Sequence, residues 1–223
     1  MLHASDLHID NSPDGQKGFV QLIDAAMELE IDVLVLVGDT FDDNRATEAT
    51  LALFMEHLDR LRVPIVVLPG NHDPCMAGSA YERMELPDHV IVLNDPDGTS
   101  VELPALGVEL WGRAHMSFAD CRPLSGLPPR GAQPWQIALA HGHLVRYPED
   151  RHRSYLITSE EIASSDRDYV ALGHWDVQHD ASAGDVTAWY SGSPRRYALC
   201  ALVTFSEPSG TRQVRVEPIR LPG

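Results

Sequence analysis

The chain is poor in cysteine. Its three, Cys75, Cys121 and Cys200, are odd in number and widely spaced. They build neither a disulfide framework nor a CxxC zinc knuckle. Lysine is all but missing: Lys17 stands alone, and 17 basic residues face 33 acidic ones for a formal net charge of −16. Coating duplex nucleic acid draws on a basic surface, so the composition disfavours that role. A small phosphate-bearing ligand stays open, because bound cations reverse the local sign of charge. Long apolar runs are absent too. The best, Val33 to Val37, has the length of a strand and falls far short of the ~18 residues of a membrane span. No charged-then-apolar leader opens the chain, and the expected compartment is the cytoplasm. Proline and glycine, 16 each, are at ordinary levels, which excludes collagen-like and disordered classes.

What is present alternates strand and helix. Met1 to Ser5 reads as a first strand. Phe19, Leu22, Ile23, Ala26 and Met27 recur at helical spacing, so Gln16 to Glu30 reads as an amphipathic helix. Val33 to Val37 has the continuous apolar character of a strand buried on both faces. Thr47 suits the cap of a helix running to Leu61, and Pro64 to Leu68 is the next buried strand. This βαβαβ order implies a parallel sheet covered by helices. The second half is richer in strands: Val90–Leu93, Val101–Leu103, Val108–Trp111, Ile137–Ala140, Tyr169–Leu172, Thr187–Ser191, Ala198–Phe205 and Gln213–Ile219. Cys121 to Pro134, dense in proline and glycine, reads as a loop. The fold expected is α/β, a two-sheet mixed β-sandwich flanked by helices, as one domain over residues 1–223.

Five short polar motifs follow predicted strands: Asp6-Leu7-His8, Gly38-Asp39-Thr40-Phe41-Asp42, Gly70-Asn71-His72-Asp73, His141-Gly142-His143 and Gly173-His174-Trp175-Asp176. In open α/β sheets, ligand sites gather beyond the carboxyl ends of strands, so these motifs point to one place. Imidazole and carboxylate suit manganese, iron or zinc, and an amide oxygen suits a harder ion. Residues i and i+2 of an extended segment share a face, which lets Asp6 pair with His8 and His174 with Asp176 on one metal. Gly38, Gly70 and Gly173 each precede a candidate ligand and let the backbone approach an ion closely.

In this order the motifs resemble those of the calcineurin-like metallophosphoesterases, with wording most similar to the SbcD-type repair exonucleases. The resemblance covers residues 6 to 176. It implies a four-layer αββα fold and two divalent metal ions, manganese first, with iron or zinc as alternatives. Asp6 and His8 would hold the first ion, Asp39 would bridge both, and Asn71, His141 and His174 would hold the second. His72 matches the histidine that faces the leaving-group oxygen, and Asp42 the carboxylate that orients it. The implied chemistry is phosphoester hydrolysis, with phosphodiesters favoured. In the mechanism the resemblance implies, a hydroxide shared by both ions would attack phosphorus in line, and His72 would protonate or stabilise the leaving alkoxide. One position departs from the pattern: Asp176 stands where the family carries a second histidine. Asp176 itself, His179 or water is left to complete the first ion.

Other assignments compete. His143 is a second candidate for the place of His141. Arg45 and Arg113 are phosphate-clamp candidates against a default of ordinary surface arginines. Cys75 reads as an inert thiol, Trp175 as a packing residue, and His3, His115 and His179 as ordinary histidines. A phosphoester substrate is the expected partner, with no membrane. A DNA nuclease is the first alternative. The net charge opposes it, and no separate capping or DNA-binding domain is expected, although Arg151/Arg153 and Arg195/Arg196 form local basic clusters. A non-catalytic scaffold of the same fold is the second alternative, suggested only by Asp176.

Overall fold

The computed structural model describes residues 1–222. Its first half runs β1 (Leu2–Ala4), α1 (Pro13–Glu28), β2 (Leu34–Val37), α2 (Glu48–Asp59), β3 (Ile65–Leu68), α3 (Ala80–Arg83) and β4 (Val90–Val92). There follow β5 (Thr99–Leu103), β6 (Val108–Gly112), β7 (Trp135–His141), β8 (His143–Leu144), β9 (Leu156–Ile157), α4 (Ser159–Ala163) and β10 (Tyr169–Gly173). The chain closes with β11 (Gln178–Asp180), β12 (Thr187–Ser191), α5 (Pro194–Tyr197), β13 (Leu199–Ser206) and β14 (Gln213–Arg220).

Two six-stranded sheets result, ordered β14-β13-β1-β2-β3-β4 and β11-β12-β10-β7-β6-β5, with β8 and β9 as a separate pair. β1, β2, β3 and β4 are parallel, while the β13–β14 hairpin joins β1 antiparallel. In the second sheet β6, β7, β10 and β12 are parallel, with antiparallel β5 and β11 at the edges. Both sheets are therefore mixed.

Strand alternation explains the layering. Leu34 and Leu36 of β2, with Ile65 and Val67 of β3, pack outward against Phe19, Leu22 and Ile23 of α1 and Leu51, Phe54 and Leu58 of α2. Val35, Val37, Val66 and Leu68 point the other way, onto Leu110, Ile137, Leu139, Tyr169 and Ala171 of the second sheet. A third cluster, with Ala138, Ala140, Val170 and Leu172, is covered by Ile162 of α4 and by loop residues such as Leu124. A strand buried on both faces has no room for polar residues, which is why β2 and β3 read as continuous apolar runs.

The expected strands are present, with one- or two-residue shifts at their ends. α1 begins at Pro13, three residues before the expected Gln16. Ser12 caps it by accepting from the Gly15 N–H, and Pro13 occupies the first turn, where its missing N–H costs nothing. Thr47 caps α2 as expected, accepting from the Thr50 N–H at 3.3 Å. The short elements β8, β9, β11, α3, α4 and α5 are additions. With two to five residues apiece they show no hydrophobic period, although Thr158 and Glu161 form a capping box at α4.

One polar pair joins the sheets across this core. His3 Nδ1 of β1 lies 2.9 Å from the Tyr169 hydroxyl of β10, both fully buried. Burial holds the His3 imidazole down to about 3, from its ordinary 6.5. The folded chain thus keeps His3 neutral while the unfolded chain protonates it. Stability from this residue is present above pH 6.5 and is lost as pH falls toward 3, at up to about 1.4 kcal/mol per pH unit. Urea unfolding at pH 7.5 and at pH 5 is expected to show this loss, and His3→Gln to show a smaller one. An equal loss in the variant would assign it to other groups.

Candidate metal centre

Each motif sits where a parallel strand ends. Asp6 and His8 follow β1, Asp39 and Asp42 follow β2, and Asn71 and His72 follow β3. His141 closes β7, and His174 and Asp176 follow β10. The carboxyl ends of both sheets meet at one edge, where His141 Nδ1 bonds the Val37 carbonyl of the opposite sheet at 2.9 Å.

The turns leaving these strands are bent sharply. Asp6 (φ 53°), His8 (φ 45°), Asp39 (φ 52°) and His174 (φ 100°) all take positive φ without being glycine. Such residues cost on the order of 1–3 kcal/mol each and concentrate at sites where geometry serves chemistry. Gly38, at φ 81°, lacks the side chain that would overlap the His141 ring. A Cβ at Gly70 would likewise run into Asp39. Gly38 thus lets the two sheets approach, and Gly70 lets the turns after β2 and β3 close on each other.

Asp39 stands at the centre. Its carboxylate is buried and lies 3.2 Å from His141 Nε2 and 3.8 Å from His8 Nε2. The His72 N–H donates to its other oxygen at 2.8 Å. His8, Asp39 and His72 each bring one donor atom within 4.8 Å of the others, and so do Asp39, His141 and His174. Asp39 belongs to both groups. Asn71 Oδ1 lies 3.1 Å from His141 Nε2 and 3.0 Å from His174 Nδ1, in the second group. Asp6 lines the same cleft, and its Oδ2 accepts from Ser5 Oγ (2.5 Å) and the His174 N–H (2.9 Å).

The electrostatics suit a cation. Burial pushes the Asp6 carboxyl up, and the Asp39 charge adds to that against the pull of His141. Burial would raise Asp39 as well, but the charge and hydrogen bond of His141, with His8 and the His72 amide, hold it well below the usual carboxylate range. His141 loses to burial and gains more from Asp39, ending up at about 9. Burial and the His141 charge hold His174 down to about 3, neutral and with a lone pair free. His8 Nδ1 is buried with no hydrogen-bond partner. Buried carboxylates, imidazole nitrogens and an amide oxygen form a donor set that fits divalent cations, and a bound cation would displace the proton that His141 carries in the metal-free protein.

Three sequence expectations change in detail. His72 Nδ1 meets the backbone carbonyl of Asp42 at 3.1 Å, while the Asp42 carboxylate faces His8 Nδ1 at 3.4 Å. Asp42 therefore addresses His72 through its main chain, because the turn after β2 aims its side chain at His8. Asp176 lines the cleft, yet its carboxylate faces Arg196 Nε at 3.4 Å and belongs to neither donor group. His179 lies beside Trp175 and Tyr190, outside the cleft lining. His143 accepts from Trp175 Nε1 at 3.2 Å and faces Asp150 at 3.6 Å, leaving the inner place to His141. Arg45 is bound to Asp43 and Arg113 to the Pro96 carbonyl, and neither lines the cleft. Its arginines are Arg195 and Arg196.

Sequence reasoning missed Asp73. Fully buried, it accepts from the Gly70 N–H (2.8 Å), the Phe41 N–H (2.9 Å) and the Tyr81 hydroxyl (2.6 Å). It thereby ties the turn after β2 to the turn after β3. Burial and the Asp39 charge push its carboxyl up to about 6. A carboxylate three residues after Gly70 can accept from that residue's N–H, and this was the available signal.

A sandwich that gathers polar turns at one edge of two mixed sheets, around the buried carboxylate of Asp39, is built to hold divalent cations. The comparisons narrow the class: the family model for calcineurin-like phosphoesterases matches residues 1–178, and the chain belongs to that family. It is 32% identical over 219 residues to the DNA double-strand break repair protein Mre11 of Saccharolobus solfataricus, covering 87% of this chain and 54% of that protein. It is 27% identical over 217 residues to the uncharacterized metallophosphoesterase YhaO of Bacillus subtilis, covering 86% of this chain and 52% of that protein. It is 25% identical over 261 residues to the SbcD component of the Bacillus subtilis nuclease SbcCD, covering 97% of this chain and 65% of that protein. The chain thus spans roughly half to two thirds of these relatives' lengths. Among solved structures, TT1561 of Thermus thermophilus shares the fold at a TM-score of 0.60 and 13% identity, over 97% of this chain and 96% of that one. A novel archaeal phosphodiesterase does so at 0.51 and 16%, over 98% of each. Among the described residues, no helix is long and apolar enough to cross a membrane.

Asp73→Ala leaves three donors without their acceptor, at about 1–3 kcal/mol for each buried group. Thermal and urea unfolding are expected to show a loss of about 3 kcal/mol or more. A loss below ~1 kcal/mol would show that the two turns hold their shape without it.

Proposed function

We propose that the chain is a phosphodiesterase whose cleft holds two divalent cations, manganese first. The observation that carries this is the convergence of two donor groups on one buried carboxylate, Asp39. Asp6 and His8 would hold the first cation, and Asn71, His141 and His174 the second, with Asp39 shared. Cations held there would supply Lewis-acid polarisation of the phosphoryl group and an activated water.

The protein's own residues do the rest. Asp42 turns His8 toward the cleft by facing its Nδ1. The contact of His72 Nδ1 with the Asp42 carbonyl favours the tautomer with its proton on that nitrogen. Nε2, at the cleft rim, would then be the nitrogen that takes up a second proton and delivers it to the leaving oxygen, the ring returning to its Nδ1–H tautomer. The T-shaped contact with His8, at 4.7 Å between ring centroids, holds the His72 ring in place. Asp73 fixes the turns that carry Asp39 and Asn71. His72, exposed at the edge of the first donor group, favours turnover over a scaffold role, because a proton donor serves chemistry and is not needed for folding.

DNA is the second substrate reading, favoured by the names of two relatives, one a nuclease component and the other a DNA double-strand break repair protein. The net charge of −16 works against it, since duplex affinity rests on phosphate neutralisation.

Metal-stripped protein given Mn²⁺ is expected to hydrolyse bis(p-nitrophenyl) phosphate and to lose that activity to a chelator. His72→Ala is expected to keep its metal content and lose ~10²-fold in turnover. No turnover with Mn²⁺, Fe²⁺ or Zn²⁺ overturns the phosphodiesterase assignment. Wild-type turnover in the variant, or loss of a metal ion, overturns the role given to His72.

A further inference from the structure

The cleft, of about 620 Å³, is lined by four carboxylates, Asp6, Asp39, Asp42 and Asp176, and by two arginines, Arg195 and Arg196. The arginines differ in what they are free to do. Arg195 is spent on the protein: it donates to the His8 carbonyl and to Asp10 Oδ2 at 2.6 Å, with Asp42 at 3.8 Å. It packs on α1 at Gly18, where a Cβ would stand 2.8 Å from the Arg195 Cα. Arg196 has one side-chain partner among the described residues, Asp176, which faces its Nε at 3.4 Å. Both terminal guanidinium nitrogens are left free, and the side chain is 68% exposed at the rim.

The turn beneath it is firmly held. Ser193 is buried, its Oγ donates to the Asp6 carbonyl at 2.7 Å, and its N–H donates to the Asp176 carbonyl at 2.8 Å. The Arg196 N–H in turn donates to Ser193 Oγ at 3.1 Å. The backbone of Arg196 is thus tied through Ser193 to Asp6, while its side chain faces Asp176 across 3.4 Å without a hydrogen bond.

We propose that Arg196 is a specificity-determining residue that binds a second anionic group flanking the scissile phosphodiester, and that Asp176 is its positioning residue. This rests on the phosphodiesterase assignment above. A guanidinium whose Nε faces a carboxylate leaves its two terminal nitrogens as a fork, which matches the paired oxygens of a phosphate. Its place at the rim, apart from the buried donor groups, directs it to a group beside the reacting phosphate. In a cleft with four carboxylates it is the one arginine not already committed, so a second negative charge on the ligand has one place to go. Asp176, where the resemblance implies a histidine, then has a physical role: a carboxylate faces the guanidinium with opposite charge, which a neutral imidazole does not.

The test is calorimetric binding to the Mn²⁺-loaded protein of two product-like probes that differ only in the second phosphate, thymidine 3′,5′-bisphosphate and thymidine 5′-phosphate. Wild type is expected to prefer the bisphosphate by about 5–20-fold, the scale of one charge-assisted contact at a rim. Arg196→Gln is expected to abolish the preference, and Asp176→Asn to reduce it, both with unchanged metal content and melting temperature. Arg62→Gln, far from the cleft, is expected to keep it. No preference in wild type, or a preference that survives Arg196→Gln, overturns the proposal. Loss of a metal ion in Asp176→Asn overturns the positioning role and makes Asp176 a ligand. The bisphosphate preference is read without turnover. An inactive protein that keeps it contradicts the phosphodiesterase assignment alone, and an active one that lacks it contradicts the Arg196 assignment alone.

Discussion

The buried carboxylate of Asp39 is the interaction on which the site depends. It lies between His141 at 3.2 Å and His8 at 3.8 Å, and it also accepts the main-chain N–H of His72. A carboxylate in such a position is costly unless opposite charge surrounds it. His141, pushed up to about 9, supplies that charge in the metal-free protein, and a cation would supply it otherwise. The surroundings are arranged to keep the carboxylate there: a left-handed backbone at Asp39, glycine at 38 and 70 where any side chain would intrude, and Asp73 joining the neighbouring turns.

The sandwich serves this arrangement. Its parallel strands end together, so residues far apart in sequence arrive at one edge. Apolar layers on both faces of β2 and β3 fix those strands in register, and the polar turns inherit their precision from them. The strain at Asp6, His8, Asp39 and His174 is sustained by that packed scaffold. This is the usual division of labour between a rigid core and the loops that carry chemistry.

Much of this was legible beforehand, for identifiable reasons. Val33 to Val37 declares a strand because burial on both faces admits only apolar residues. Thr47 declares a helix start because its hydroxyl meets an orphan N–H. The ligand candidates stood out because each polar motif follows a strand end. What escaped detection depends on direction in space. Nothing local says that Asp42 would offer its carbonyl to His72 and its carboxylate to His8, since both atoms belong to one residue and only the turn decides. Nothing local says that Asp176 would face Arg196, twenty positions away. Asp73 was hidden for another reason: only its Gly70 donor is local, and the tertiary structure brings Phe41 from the turn after β2 and Tyr81 from α3. The short strands β8, β9 and β11 carry too few residues to show a period.

The central claim is that Asp39 is shared between two cation positions. The direct measurement is calorimetric titration of metal-stripped wild type and Asp39→Ala with Mn²⁺, alongside a check that the variant remains folded. The account predicts two bound ions in the wild type and at least one lost in the folded variant. Two fully occupied positions in Asp39→Ala, or a single ion in the wild type, would contradict it.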